Sequence, residues 1–238
     1  MKIVRVEIPF ENGMTPLQKR LGWIYVALHA VVLPWLLRLY AEFSPNAVNA
    51  AEFNLLYYGI GVLFVLCVML RFLRRGYDVL LDKFRLCLLS VLLALIIDYA
   101  MSGAAALILL LAAPDIAENP NAANIMTLAA GNFGLIKGLT IFIAPIVEEV
   151  LFRGVVFGSI REKSRGWAYV VSAVLFAGYN VLSFAVGSGD LSQLLYIIEY
   201  IPVAVALAAA YEHSGSIWTP IFMHMGINAV SFSILNVM

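Results

Sequence analysis

Charge is what this chain lacks most: of its 238 residues only 13% are Asp, Glu, Lys or Arg, about half the share of an ordinary soluble domain. Hydrophobic residues make up 63%, against roughly 45–50% in soluble domains, which excludes a water-soluble globular protein and implies a polytopic membrane protein. The few charges balance, 15 basic against 15 acidic, so there is no cationic surplus for a phosphate backbone and nucleic acid is not expected as a partner. Cysteine is nearly absent. Cys67 and Cys87 belong to no CxxC or other ligand-spaced group and read as small buried apolar residues with no chemistry to assign. The first 20 residues carry charges with Pro9 and Pro16 and lack a short apolar region with a small-residue cleavage site. No removable signal peptide is therefore expected, and the first span both targets and anchors. No internal repeat, low-complexity tract or separate soluble domain is visible, so residues 1–238 read as a single membrane-embedded domain.

What is there in abundance is apolar sequence in lengths that cross ~30 Å of hydrocarbon. Such windows fall near 21–41, 53–73, 86–112, 136–160, 167–187, 191–211 and 216–237. The expected fold is all-α, a polytopic transmembrane helical bundle of about seven spans, or eight if the long third window splits near Gly103. Basic residues set its orientation. Lys2, Arg5, Lys19 and Arg20 precede the first span, Arg71, Arg74, Arg75, Lys83 and Arg85 join the second to the third, and Arg161, Lys163 and Arg165 follow the fourth. The intervening segments 42–52, 114–135 and 188–190 contain no Lys or Arg, which puts the N-terminus in the cytoplasm. Segment 114–135, with its Glu118-Asn119-Pro120-Asn121 turn signal, reads as an outer loop or re-entrant segment. The expected location is the cell membrane, a bacterial inner or plasma membrane, with the lipid bilayer as the surrounding partner.

Against that apolar background stands Glu148-Glu149-Val150-Leu151-Phe152-Arg153. A charge near the bilayer centre costs at least ~2.5–3.5 kcal/mol, so such a cluster is a functional-site hypothesis by default. Counting 1.5 Å per residue from the cytoplasmic span ends puts Glu148, Asn180 and Asn228 at roughly 18–20 Å depth and His224 at about 12 Å. Asp98 and Glu199 fall near the same layer. Glu149 and Arg153 are i,i+4 with the acid first, the favoured order for an intrahelical ion pair. Glu148, turned about 100° away, is left free to act as a base. His224 and Asn228 are also i,i+4 and project from one face of the last span, where both can donate hydrogen bonds to an oxyanion. Phe176 and Asn180 form a third such pair, whose simplest reading is a packing aromatic with a polar helix contact.

Glu-Glu-x-x-x-Arg on one span, Phe-x-x-x-Asn on the next and His-x-x-x-Asn on the last, after the lead-in Ser214-Gly215-Ser216-Ile217-Trp218-Thr219-Pro220-Ile221, together resemble the CAAX protease and bacteriocin-processing (CPBP) family. These are intramembrane endopeptidases that include the Ras-converting CAAX endopeptidases. The resemblance covers about residues 136–230 and implies a conical helical bundle that hydrolyses a peptide bond in a membrane-anchored or lipidated peptide or protein. By that resemblance Glu148 activates a water, Glu149, Arg153 and Phe176 support the site, and His224 with Asn228 stabilises the oxyanion. The family's second motif ends in His where this chain has Asn180, which can orient a water but cannot share its proton. No cofactor is expected. Zinc is the alternative, with Glu148 and His224 as the residues to hold it, although catalytic zinc normally takes three protein ligands. His29, on the first span, and His213, before the last, do not fill the gap.

Two other functions stand beside the protease. A catalytically silent family member would use the same cavity to bind a membrane partner or act as a regulator, and Asn180 is the feature that favours it. An ion or proton pathway would use Asp98, Glu148 and Glu199 as a relay, although no inverted repeat accompanies them.

Overall fold

The computed structural model describes residues 10–44, 48–113 and 119–235. Eight helical stretches are seen among these: α1 (Pro16–Phe43), α2 (Ala50–Val68), α3 (Leu70–Asp82), α4 (Phe84–Ala112), α5 (120–161), α6 (Arg165–Ser188), α7 (Leu191–Ser214) and α8 (Trp218–Leu235). Four of them, α1, α2, α4 and α7, are long and apolar enough to cross a membrane. The other three expected spans coincide with parts of α5, α6 and α8. The chain is therefore a multi-pass helical membrane protein, as its composition implies.

Boundaries differ from expectation at three places, each for a local reason. The second window ends early: Met69 leaves helical geometry (φ −101, ψ 2), and residues 70–73 open α3. Arg71, Arg74, Arg75, Asp78 and Asp82 make α3 half polar; it buries Phe72, Leu73 and Gly76 and turns its charges outward. The third window does not split, because α4 is helical throughout, Gly103 included. The segment expected as an outer loop is helical from Pro120 and bends at Asn132 (φ −150, ψ 62) into the fourth span. Of its turn signal, Glu118 lies outside the described residues, as do Lys2 and Arg5.

Helix starts follow capping chemistry. Thr15 and Gln18 form a reciprocal capping box on α1, and Asn49 and Glu52 form another on α2, each satisfying backbone donors that would otherwise lack partners. Two prolines widen their helices. Pro34 and Pro145 have no N–H to return to the preceding turn, and each follows a π-helical stretch, Leu28–Val32 in α1 and Leu139–Ile143 in α5. A second π-helical stretch of α5, Val150–Phe157, follows directly after Glu149. The two carboxylates thus sit on a short α-helical piece, Ala144–Glu149, between two widened ones.

That part of α5 is the axis of the bundle. Every residue from Val147 to Gly158 is buried, with α1, α2, α6, α7 and α8 packed around it. The outer helices present apolar side chains outward, among them Leu17, Ile24, Val31 and Trp35 on α1 and Leu88, Ile96, Leu107 and Leu111 on α4. Glu148, Glu149, Arg153 and His224 lie inside while these apolar side chains lie outside, as a lipid solvent demands. At the end of the bundle where α5 turns into α6, Arg161 and Arg165 pair with Glu212, which also accepts from the Tyr169 hydroxyl at 2.7 Å. Lys19 meets Glu162 at 2.6 Å, so the turn after α5 is tied to both α1 and α7.

Candidate active site

Glu149 and Arg153 are fully buried, each with 0% of its side chain exposed. Arg153 Nη1 donates to Glu149 Oε1 at 2.9 Å and Nη2 to the Ala204 carbonyl at 3.3 Å. The Phe176 ring covers the guanidinium 4.2 Å from its centroid and meets the His224 ring edge-on at 5.9 Å. A buried guanidinium needs all three kinds of partner, since desolvation otherwise outweighs the attraction of one carboxylate. Glu149 and Arg153 thus meet one turn apart on α5, and Phe176 packs on the guanidinium from α6.

His224 joins this knot from α8. Its Nδ1 lies 2.8 Å from Glu149 Oε1; since a carboxylate only accepts, Nδ1 carries the hydrogen. Nε2 then faces Glu148, whose Oε2 is 3.9 Å away. The lead-in to α8 fixes this placement. Gly215 takes a left-handed turn (φ 73) that favours glycine, and Ser216 Oγ donates to the Gly76 carbonyl at 2.6 Å, pinning the start of α8 to α3.

Glu148 differs from its neighbour. Its Oε1 accepts the Tyr58 hydroxyl at 3.0 Å, and its Oε2 is bonded to no protein group among the described residues. Tyr58 belongs to a cluster the sequence reading passed over. Tyr57 OH lies 3.2 Å from Tyr179 OH and 3.0 Å from the His29 carbonyl, and the Tyr57 ring meets Tyr58 edge-on at 5.1 Å. His29, buried in the first span, stacks on Tyr57 at 4.2 Å and approaches the Tyr25 hydroxyl at 3.4 Å. The depth count used for Glu148 would have found the pair: Tyr57 and Tyr58 lie 10–11 residues from Val68, about 15 Å deep.

Two expected site residues take other partners. Asn228 Nδ2 donates to the Thr140 carbonyl at 2.9 Å, where the Leu139–Ile143 stretch widens the helix; this leaves its second N–H for other use. Asn180 Nδ2 bonds back to the Phe176 carbonyl of its own helix at 2.9 Å. The layer of acids also comes apart. Asp98 pairs with Ser102 at 3.5 Å and lines an apolar cavity of about 680 Å³ between α4 and α8. Glu199 accepts from Asn119 at 2.7 Å. Neither is a partner of Glu148, so the relay has no connected path among the described residues.

A family model described as "Type II CAAX prenyl endopeptidase Rce1-like" matches residues 62–230. The chain belongs to the Rce1-like family. A Bacillus subtilis (strain 168) relative, named "Putative membrane peptidase YdiL", is 32% identical over 87 residues. That alignment spans 36% of this chain and 31% of the Bacillus protein, about a third of each. No solved structure matches. Membership in this Rce1-like family makes the chain a membrane-embedded member of a peptidase family whose substrates are peptides.

Proposed function

We propose that this Rce1-like chain is an active intramembrane endopeptidase that cleaves membrane-anchored or lipidated peptides, with Glu148 as the base that activates water. The observation that carries this reading is the difference between the two carboxylates. Glu149 is fully buried, its Oε1 taken by both Arg153 and His224 and its Oε2 shut away without a partner among the described residues, whereas Glu148 has Oε1 on Tyr58 and Oε2 turned toward His224 Nε2 at 3.9 Å. A water hydrogen-bonded to both at about 2.8 Å fits across such a gap in a bent arrangement.

In this scheme Glu148 takes a proton from the water as its oxygen attacks the scissile carbonyl carbon. Negative charge moves to the carbonyl oxygen. His224, when protonated on Nε2 as well as on Nδ1, and the second N–H of Asn228 are the donors that stabilise it. The C–N bond then breaks and Glu148 returns the proton to the leaving amine. Glu149 holds His224 in the required orientation. Metal plays no part in the scheme. Among the described residues no three His, Cys, Asp or Glu side chains meet as ligands; Glu148 and His224 make two, Glu149 is held by Arg153, and catalytic zinc takes three.

One observation favours a second reading. Asn180, at the position of the family's histidine, spends its amide on its own helix, which suits a silent member that binds a membrane partner. The deciding experiment measures cleavage of membrane-anchored peptides by the purified protein in lipid. Activity that vanishes in Glu148→Ala supports the protease; activity seen only after Asn180→His supports the silent member.

A further inference from the structure

The family's second-motif histidine is missing, yet Glu148 does not lack a polar partner. We infer that Tyr58 fills that role: its hydroxyl holds Oε1 of Glu148 and so presents Oε2 to the attacking water, with Tyr179 and Tyr57 positioning it. The inference rests on the protease reading of the same site, and it adds a positioning residue from outside the region matched by the family, which begins at residue 62.

Three observations carry it. The Tyr58 hydroxyl donates to Oε1 at 3.0 Å, while Asn180 points its amide back to Phe176. Behind Tyr58 the Tyr57 ring packs edge-on at 5.1 Å, and the Tyr57 hydroxyl, fixed by the His29 carbonyl at 3.0 Å and by Tyr179 OH at 3.2 Å, holds that ring in place. Finally, the backbone is built for this approach. Gly61, one turn after Tyr58 on α2, packs on Val147: a Cβ placed there would lie 2.8 Å from Val147 Cγ1 and 3.5 Å from the His29 ring. The missing side chain lets α2 come close enough to α5 for Tyr58 to reach the residue after Val147.

Tyr179 occupies the position immediately before Asn180. Where relatives carry a histidine at the second motif, this chain brings a phenol into the site from the same turn of α6, and connects it to a second phenol on α2. A phenol remains protonated where a histidine would titrate, so it donates to the carboxylate steadily and does not compete for the water's proton.

The test uses the full chain in lipid vesicles with a membrane-anchored peptide substrate, comparing wild type, Tyr58→Phe, Tyr179→Phe and Glu148→Gln. Tyr58→Phe keeps the ring and removes the donor. Its expected effect is a fall in kcat of about tenfold to a hundredfold, the range for a hydrogen bond to a charged group, with KM unchanged within twofold; Tyr179→Phe should lose a few-fold. An independent readout is the infrared band of the Glu148 carboxyl, assigned by its loss in Glu148→Gln, which should shift in Tyr58→Phe. Cleavage abolished by Glu148→Gln but untouched, with an unmoved band, in Tyr58→Phe would overturn the inference and leave the protease reading standing. A wild type that is silent while Asn180→His cuts would overturn it too, because the tyrosines would then not have replaced the histidine. Cleavage that survives Glu148→Gln would sink the protease reading itself.

Discussion

Glu148 and Glu149 are adjacent in sequence and face opposite kinds of surroundings. On the Glu149 side every contact is inward: Arg153, His224 and the Phe176 ring close around a carboxylate with no exposed area. On the Glu148 side one oxygen is held by Tyr58 and the other lies 3.9 Å from His224 Nε2. In the proposed scheme Glu149 holds His224 and Arg153 and Glu148 does the chemistry. The difference comes from about 100° of helical turn, which aims Glu149 at Arg153 and His224 and Glu148 at Tyr58 on α2.

If this division is right, substitutions on the two sides should fail in different ways. The largest effect on stability is expected from Arg153→Ala, which leaves Glu149 buried without its counter-charge and should cost about 3–5 kcal/mol. Thermal unfolding in detergent or lipid would read it, and Glu149→Gln combined with Arg153→Met should recover much of the loss. Next comes Gly61→Ala. The added methyl would meet Val147 at 2.8 Å, and overpacking of this kind costs about 1–3 kcal/mol. Here the informative measurement is cleavage beside stability, since pushing α2 away should also break the Tyr58 contact. The smallest effect belongs to Asn180→Ala, whose amide serves its own helix; a change within about 1 kcal/mol in stability and little change in cleavage are expected. A large loss of cleavage in Asn180→Ala would move that residue into the working side of the comparison.

The sequence made the Glu149 side legible and left half of the Glu148 side unread. Glu149, Arg153, Phe176 and Asn180 are related by spacings within single helices, and such i,i+4 relations survive folding almost unchanged. Apolar length gave the spans for the same reason. The contacts of Glu148 are between helices. Tyr58 comes from α2 and His29, behind it, from α1, where nothing but ordinary aromatic residues in apolar windows marks them, and the meeting of Tyr58 with α5 depends on Gly61 against Val147. Asn228 shows the same limit: its facing was foreseen, but the Thr140 carbonyl that receives it is exposed only because the helix widens before Pro145. The amphipathic α3 was hidden by the apolar residues that begin it, Leu70, Phe72 and Leu73, which extend the preceding window by pattern although Met69 ends the helix.

The central claim is that Glu148 works and Glu149 holds, and a paired measurement tests it most directly: cleavage of a membrane-anchored peptide and thermal unfolding, recorded side by side for Glu148→Gln and Glu149→Gln in lipid. The account predicts that Glu148→Gln unfolds like wild type while its cleavage falls by about 10²–10⁴, the usual contribution of a general base, and that Glu149→Gln loses stability. Retained cleavage in a well-folded Glu148→Gln protein would contradict it.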